Sequence, residues 1–415
     1  MPEGRAPAAQ RTSRNLYVFG ATSFLNDTAS EMAYWVLPAF LASLGAGPAQ
    51  LGIIEGVAES VASFAKLFSG YLTDRVARRK PIVVAGYLVA NAVKPLLALV
   101  TSWWQILAIR FADRFSKGVR GTARDVMVAE SEHKSRIGSA YGLIQAMDSA
   151  GAICGPLIAL LLLPYYGLRG IFWAAAIPGF FCIAVASLGI RETKRPPVDD
   201  GARGSPDANR DLKAPRGDDW RAGGTSWHPH LPGSFYFVLV AVTLFSLGNS
   251  SDMFLVLRAQ SVGIRAVHAP LLGLVFNITY TLFSWPAGHL SDRLSRRAMA
   301  AAGYLVFAAV YLVFAIAPST LAIWLTMASY GLFYALTNPV LKALVVETVA
   351  PEVRGRALGV YFFLTSVAAL LASVITGELW KQYGPRVPFY FSAAIAVVCA
   401  GLLLVSRPSE NVAAN

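Results

Sequence analysis

Gly70-Tyr-Leu-Thr-Asp-Arg-Val-Ala-Arg-Arg79 is repeated later in the chain as Gly288-His-Leu-Ser-Asp-Arg-Leu-Ser-Arg-Arg297, 218 positions further on. A second pair of matches has an offset of 217: Val128-Ala-Glu130 with Gly138-Ser-Ala-Tyr-Gly142, and Val345-Val-Glu347 with Gly355-Arg-Ala-Leu-Gly359. Two independent matches at nearly one offset are hard to obtain by chance. The sequence therefore predicts a tandem of two related units.

The composition places both units in a membrane. Of the 415 residues, 55% are hydrophobic and 14% are charged, and the mean hydropathy is +0.51. The apolar residues form continuous runs of about 20, which is the length that crosses a hydrocarbon core as a helix. These runs do not alternate with a period of two, so a β-barrel is excluded. Cys154, Cys182 and Cys399 lie in apolar runs without metal-ligand spacing, so neither a disulfide framework nor a metal site is expected.

The apolar runs predict an all-α polytopic membrane protein with twelve spans. The predicted spans are 15–44, 49–73, 80–101, 103–128, 137–163, 167–190, 233–257, 268–291, 297–316, 319–346, 355–378 and 386–406. The predicted domain order is an N-terminal tail (1–14), a six-helix bundle (15–190), a flexible linker (191–232), a second six-helix bundle (233–406) and a C-terminal tail (407–415). Six spans return the chain to its starting side, so the bundles are parallel repeats with pseudo-two-fold symmetry.

The basic residues predict the orientation in the membrane. Arg and Lys cluster in the tails, the linker and every second loop, whereas the alternate loops (45–48, 101–102 and 317–318) are nearly uncharged. This asymmetry predicts that both termini are cytoplasmic and that the protein is a multi-pass protein of the inner cell membrane. The same clusters account for the net charge of +12. We therefore expect the lipid bilayer, and not nucleic acid, as the partner of these charges.

The repeated element resembles the loop 2–3 signature of the major facilitator superfamily, and the resemblance covers roughly residues 15–406. It implies that superfamily's fold of two six-helix bundles and the function of a secondary transporter, in a little-characterised bacterial branch. In the family this element acts as a cytoplasmic gate latch. The gating role is therefore expected for the matching residues Gly70, Asp74, Arg75, Arg78, Gly288, Asp292 and Arg293. The alternative interpretation is a charge cluster that only sets topology.

Span four carries a cationic stripe. At about 100° per residue, six charged residues fall within an arc of roughly 140°. They are Arg110, Asp113, Arg114, Lys117, Arg120 and Arg124. A charge near the bilayer centre costs about 2.5–3.5 kcal/mol or more, so the stripe must face protein or enclosed water. We predict that Arg110, Asp113, Arg114 and Lys117 bind substrate or protons, and that the end from Arg120 to Asp125 is mainly structural or gating.

Gly151-Ala-Ile-Cys-Gly155-Pro156 in span five resembles the core of a motif found in antiporters of the superfamily, most of which are exporters. Small residues permit close helix packing, and the proline bends the helix. The usual trailing Gly-Gly is replaced by Leu157-Ile158. The motif therefore favours an exporter over an importer without excluding the importer, and it assigns Gly151, Gly155 and Pro156 to gating.

Carboxylates form the other half of the candidate site. Asp27 and Glu31 share one face of span one, and Glu59 lies on the face of span two that carries Glu55 and Lys66. Asp252 in span seven aligns with Glu31 at an offset of 221. A buried acid beside a base can exchange a proton, so these groups are predicted to couple transport to protons. A static ion-pair network is the alternative.

Further candidates for the lining of a substrate site lie on spans five, eight and ten. They are Gln145, Asp148, Asn277, Tyr334 and Asn338. Asn338-Pro339 interrupts span ten and frees backbone carbonyls where a ligand could dock. The alternative for the tyrosine is ordinary packing.

Together these features predict a secondary active transporter that works by alternating access. The favoured form is a proton-coupled exporter of a small anionic, zwitterionic or amphipathic compound; the alternatives are a proton-coupled importer of an organic anion and a transporter-derived membrane sensor that signals through the linker. No nucleotide-binding or catalytic constellation is present in the sequence, so we expect no enzymatic activity and no cofactor, with a proton gradient as the energy source. A monomer is expected.

Overall fold

The computed structural model describes residues 13–46, 48–76, 78–192, 231–265 and 269–405. Every regular element in this part of the chain is a helix, which confirms the predicted all-α fold. Both predicted tails and residues 193–230 of the predicted linker lie outside the described residues, apart from the beginning of helix α1 and its preceding cap. The side chain of Glu59 lies outside them too.

The described part of the chain forms twelve α-helices. They are α1 (Arg14–Ser43), α2 (Pro48–Arg75), α3 (Lys80–Val93), α4 (Trp103–Ser131), α5 (Ile137–Gly189), α6 (Gly233–Ser246), α7 (Met253–Ser261), α8 (Ala269–Ser291), α9 (Arg296–Ile316), α10 (Thr320–Glu347), α11 (Arg354–Tyr383) and α12 (Val387–Val405). Short 3-10 helices cover Pro95–Leu99, Lys134–Arg136 and Pro351–Val353. We call α1–α5 the N-terminal half and α6–α12 the C-terminal half.

Six helical segments within the described ranges are long and apolar enough to cross a membrane. They are Lys80–Leu99, Lys134–Gly189, Arg296–Ile316, Thr320–Glu347, Pro351–Tyr383 and Val387–Val405. Helix α4 has 29 residues, but it carries the cationic stripe and is not among them. Hydropathy alone therefore finds only part of the predicted set of spans, because charged side chains lower the hydropathy of helices such as α4 and because α6 and α7 are short.

The predicted spans five and six both lie in α5, which consists of two helical segments that meet at a break at Gly167. Helix α5 runs for 53 residues, about 80 Å at 1.5 Å per residue, which is enough to cross a bilayer twice. Its helical geometry is broken at Gly167, which has φ 63° and ψ −178°. A positive φ is strained for other L-residues, so glycine suits this reversal between the two crossings.

The predicted span seven is divided into α6 and α7. Helix α6 ends at Ser246 and α7 begins at Met253, so the predicted span over 233–257 is not one continuous helix. The intervening Gly-Asn-Ser-Ser sequence has low helix propensity, because its short polar side chains compete for backbone hydrogen bonds. One freed amide, that of Ser251, donates to Ser373 Oγ of α11 at 3.0 Å.

Each half packs through small residues at matching places. A Cβ added at Gly118 of α4 would lie 2.7 Å from the carbonyl oxygen of Ala62 in α2. In the C-terminal half, a Cβ at Gly331 of α10 would lie 2.5 Å from the carbonyl oxygen of Phe276 in α8. Glycine at these places lets the helix backbones approach closely. The halves meet along α2 with α11 and along α5 with α8.

Gly118→Val is expected to lower the thermal stability of the purified protein, because the added atoms overlap the backbone of α2 and force the two helices apart. Overpacking of this kind costs about 1–3 kcal/mol. Gly121→Val, on the same helix, is the matched control, because a Cβ at Gly121 meets nothing within 4 Å. The midpoint of thermal unfolding in detergent should fall for Gly118→Val and fall less for Gly121→Val. Equal midpoints would contradict this packing.

Candidate transport cavity and gate

The repeated aspartate of the first motif crosses from one half to the other. Asp74, at the end of α2, accepts hydrogen bonds from the amides of Gly355 at 2.8 Å and Arg356 at 2.7 Å. Both amides belong to the first turn of α11. A carboxylate at this position satisfies amides that have no partner within the helix and lies at the positive end of the helix dipole.

The second copy makes the same contact in the opposite direction. Asp292, after α8, accepts from the amides of Gly138 at 2.7 Å and Ser139 at 2.8 Å, in the first turn of α5. The hydroxyl of Ser139 donates to the same carboxylate at 2.7 Å. The two aspartates thus bind the halves together reciprocally at one end of the molecule, which we call the gate end.

Two arginines that the sequence analysis did not assign to gating form buried ion pairs at this end. Arg79 is buried and pairs with Glu130, while Arg296 is buried and pairs with Glu347 at 2.7 Å and with Asp292 at 3.0 Å. The predicted gating residues Arg75, Arg78 and Arg293 are exposed.

The two arginine–glutamate pairs share one offset. Both Arg79 to Arg296 and Glu130 to Glu347 are 217 positions apart, whereas the aspartates are 218 apart. The offset of the repeat therefore changes from 218 to 217 between the aspartate and the buried arginine. The glutamates share the offset of 217, and this was the signal in the sequence that could have identified both arginines.

Glycines bring the backbones into contact at the gate end. A Cβ at Gly70 would lie 2.4 Å from the carbonyl oxygen of Gly355, and one at Gly288 would lie 2.2 Å from that of Gly138. The gating glycines predicted from the repeated motif, Gly70 and Gly288, thus lie where the backbones of the two halves touch. In this form the protein is closed at the gate end.

The glycines of the antiporter-like motif lie elsewhere. A Cβ at Gly151 would meet the carbonyl oxygen of Phe24 at 2.6 Å, and one at Gly155 would meet that of Thr28 at 2.7 Å. Both contacts join α5 to α1 within the N-terminal half. Pro156 follows inside α5. These residues set how two helices of one half pack, and the structure places none of the three at the interface between the halves.

A cavity of about 500 Å³ lies between the halves. Its lining on α11 runs from Tyr361 to Ala369, roughly 10–22 Å along the helix from the gate end at 1.5 Å per residue. This depth corresponds to the middle of a bilayer, and the volume suits a small organic ligand. The polar lining consists of lysines, amides and hydroxyls: Lys66, Lys117, Lys342, Gln145, Asn249, Asn338, Ser246, Thr337, Thr365 and Ser366.

An aromatic wall faces these lysines. It comprises Phe245, Tyr304, Phe333, Tyr334, Tyr361 and Phe362. Phe245 stacks on Tyr304 with ring centroids 3.8 Å apart, and the Nζ of Lys66 lies 5.2 Å from the ring centroid of Phe362. The C-terminal half supplies the aromatic rings, while the N-terminal half supplies Lys66 and Lys117. No carboxylate is present among the described residues that line this cavity.

The cationic stripe of α4 divides between several surroundings. Arg110 pairs with Glu55 of α2 at 2.8 Å and with Asp113 at 3.7 Å. Arg120 is buried, with its guanidinium 4.7 Å from the ring centroid of Tyr87. Lys117 is exposed and reaches the cavity. Only Lys117, of the four predicted α4 binding residues, lines the cavity; Arg114 is partly buried.

A polar chain runs through the N-terminal half. The amide of Asn26 donates to Asp27 at 2.9 Å, and Asn91 donates to Asn26 Oδ1 at 3.3 Å. Lys94 donates to Asn91 at 3.0 Å, and its Nζ lies 4.0 Å from Asp113. The buried lysine thus connects the predicted acid of α1 with the stripe on α4. Lys94 was missed because it lies alone in an apolar sequence, without a nearby charge to mark it.

The remaining predicted residues of the N-terminal half lie around this chain. Glu31 is near enough to Lys117, Arg114 and Arg110 for their positive charges to act on it. Asp148 lies 3.7 Å from Arg124, and Gln145 lines the cavity.

In the C-terminal half, Asp252 accepts from the Tyr330 hydroxyl at 2.8 Å, and Asn338 donates to the Tyr280 hydroxyl at 2.7 Å. Asn277 donates to a carbonyl of its own helix. Tyr334 and Asn338 line the cavity, and Asp252 and Asn277 do not.

One ion pair that crosses between the halves was not predicted. The Nζ of Lys342, on α10, lies 3.4 Å from a carboxylate oxygen of Asp125, on α4. Arg124 also pairs with Asp125, at 3.1 Å. The sequence assigned the end of the stripe from Arg120 to Asp125 to a mainly structural or gating role. The structure continues α4 to Ser131, buries Asp125 and leaves Arg124 partly buried.

Asp292→Asn is expected to weaken the closed gate, because the neutral amide loses its interaction with the helix dipole and cannot accept from every donor that the carboxylate satisfies. Charge-assisted hydrogen bonds contribute about 1.5–3 kcal/mol, so the open fraction should rise about tenfold or more. Spin labels at the exposed positions Ser135 and Ala350 would report the distance across the gate end by pulsed electron resonance. Glu378→Gln, on α11 beyond the cavity, is the control. An unchanged distance distribution in Asp292→Asn would refute the latch.

The family model of the Major Facilitator Superfamily matches residues 19–257 and 237–415. Among curated proteins, the "Uncharacterized MFS-type transporter MJ1317" of Methanocaldococcus jannaschii is 34% identical over 401 residues, which cover 95% of this chain and 94% of that protein. The "Multidrug resistance protein MdtG" of Proteus mirabilis is 24% identical over 401 residues, which cover 94% of both chains.

Solved structures show the same fold. The human organic anion transporter MFSD10 (TETRAN) aligns with a TM-score of 0.74 and 16% identity, covering 94% of this chain and 99% of that chain. The transporter FucP in its outward conformation aligns with a TM-score of 0.72 and 14% identity, covering 95% and 99%. The family match across the chain agrees with the repeated gate motif and the twelve helices. This chain is a member of the major facilitator superfamily.

Proposed function

We propose that this protein is a secondary active transporter that exports an amphipathic organic anion by alternating access, driven by protons. The observation that carries the proposal is the cavity between the halves, which combines three lysines with an aromatic wall and is closed at the gate end. Alternating access needs such a site at mid-depth, with a gate that can open on either side.

The charges of the cavity favour an anion. Lys66, Lys117 and Lys342 line it, and no carboxylate lies among its described lining residues. Like charges that share one cavity repel one another, so a negative ligand would be stabilised there. The aromatic wall favours a ligand with an apolar body, since such rings bury large apolar areas.

Several observations support export. The positive loops favour a cytoplasmic gate end, which would make the present form outward-facing. One relative is named a multidrug resistance protein, and a structural neighbour is titled an organic anion transporter. The antiporter-like motif on α5 points the same way.

Proton coupling is supported by the polar chain of the N-terminal half. Asp113 and Lys94 are both buried, yet their charged atoms are only 4.0 Å apart. An acid and a base held together in low dielectric can pass a proton when neighbouring charges move. A second candidate function is proton-driven import, because a structural neighbour is titled a fucose:proton symporter.

The direction of coupling can be tested with purified protein in liposomes. Radiolabelled 2-naphthalenesulfonate is a suitable probe, because it stays charged and does not cross lipid as a neutral acid. An exporter that exchanges anion for protons should accumulate the probe when the lumen is acidic. A symporter should accumulate it when the lumen is alkaline. Uptake that ignores the gradient in both directions would refute proton coupling.

Asp113→Asn is expected to abolish gradient-driven accumulation of the probe. It should leave the exchange of labelled for unlabelled probe, measured without a gradient, unchanged. The physical reason is that the amide fills the same space beside Lys94 but cannot take up a proton. Glu378→Gln serves again as the control and should keep both activities. Loss of exchange together with accumulation would mean that Asp113 supports the fold or the substrate site instead.

A further inference from the structure

The pair of Asp125 and Lys342 lies between the cavity and the gate end. Asp125 is six residues before the end of α4, and Lys342 is five residues before the end of α10. At 1.5 Å per residue these positions are roughly 7–9 Å from the helix ends. Lys342 also lines the cavity, whereas Asp125 is only 2% exposed. One ammonium group therefore touches both the substrate site and the opposite half of the protein.

Asp125 has a second positive partner within its own half. Arg124 donates to Asp125 from its Nε at 3.1 Å, and the Arg124 guanidinium also donates to Ser23 at 2.9 Å. If Lys342 left, Asp125 would remain paired with Arg124. Lys342 has the rings of Phe362 and Tyr141 within 5.7 and 6.0 Å. Among the described carboxylates Asp125 forms an ion pair with Lys342, and Asp148, also in the N-terminal half, is near enough for its charge to interact with Lys342.

Opening of the gate end must separate this pair. Helices α4 and α10 belong to different halves, and the halves move apart at this end when access alternates. Asp125 keeps Arg124 after the separation, whereas Lys342 loses its carboxylate partner. Loss of this ion pair opposes opening, so a new anionic partner for Lys342 would favour opening.

We propose that Lys342 alternates between two anionic partners: Asp125 when the gate is closed, and the anionic group of the substrate when the gate is open. This inference rests on the proposed organic-anion substrate. Asp125 then acts as an internal competitor of the substrate. The anion binds more tightly to the gate-open form, and closure of the gate returns Lys342 to Asp125 and weakens the hold on the anion. That order of affinities releases the substrate on the side away from the gate end.

The same exchange couples transport to substrate. Because a ligand shifts a conformational equilibrium only by its different affinity for the two forms, an anion that takes Lys342 shifts the population toward the open gate. An empty carrier opens less readily, since Lys342 has no anion to replace Asp125.

The test uses the full-length protein in detergent, with 2-naphthalenesulfonate as the probe and the neutral 2-naphthalenesulfonamide as its control. Asp125→Asn removes the competitor and keeps the side-chain shape, so it should bind the sulfonate about tenfold more tightly than the wild type. Lys342→Gln should bind it at least tenfold more weakly. Neither change should alter binding of the sulfonamide by a comparable factor. Both variants are first checked for a cooperative thermal transition.

The gate is monitored in parallel by the spin labels at Ser135 and Ala350. Saturating sulfonate should increase the long-distance population in the wild type and should have no effect in Lys342→Gln. Without ligand, Asp125→Asn and the double variant Asp125→Asn/Lys342→Gln should show the same gate distribution, because each lacks the ion pair. Lys117→Gln is the matched cavity variant: it should weaken binding but keep the gate response at saturation.

The outcomes separate the two proposals. If the wild type does not bind the sulfonate at millimolar concentration, the organic-anion substrate class is wrong. The proposed exchange of partners at Lys342 is then wrong as well. If the wild type binds it but Lys342→Gln keeps the full gate response, or Asp125→Asn binds no more tightly, the exchange of partners is wrong while the transporter proposal stands.

Discussion

Two carboxylates that bind helix N-termini across the interface between the halves hold this structure in its present form. Asp74 accepts from the first turn of α11, and Asp292 accepts from the first turn of α5. Each satisfies amides that a helix cannot satisfy itself, and each places negative charge at a positive dipole end. Because the contacts are reciprocal, they close one end of the molecule evenly and turn the space between the halves into a cavity.

The halves repeat the same sequence motifs but differ in the side chains of their interiors. The N-terminal half carries paired charges, from Glu55 and Arg110 to Lys94 and Asp113. The C-terminal half carries stacked rings, among them Phe307 and Tyr311 at 3.9 Å. The gate contacts therefore repeat in the two halves, whereas the residues that line the cavity do not. The N-terminal half supplies most of the positive charge of the cavity and the C-terminal half supplies the apolar surface, which is the arrangement that an amphipathic anion would need.

The gate and the cavity share one side chain. Lys342 lines the cavity and reaches Asp125 in the opposite half. In the proposed mechanism this single ammonium group makes occupancy of the cavity and closure of the gate compete for the same charge. A competition of this kind links binding to movement without a long pathway through the protein, because both events act on one ion pair.

The sequence by itself determined the repeat, the helical membrane character and the superfamily, since these depend on local composition and on motifs within short segments. It also identified the aspartates and glycines of the gate. Only the tertiary structure decided which arginines are buried, because a one-residue slip in a short loop exchanges the exposed and the buried side chain. It likewise divided span seven, directed most of the α4 stripe into the N-terminal half and brought Lys66, Lys117 and Lys342 to one cavity. Those outcomes depend on how helices from distant parts of the chain are rotated against one another, and that rotation is set by packing between helices, within and between the halves, and not by the period of any single helix.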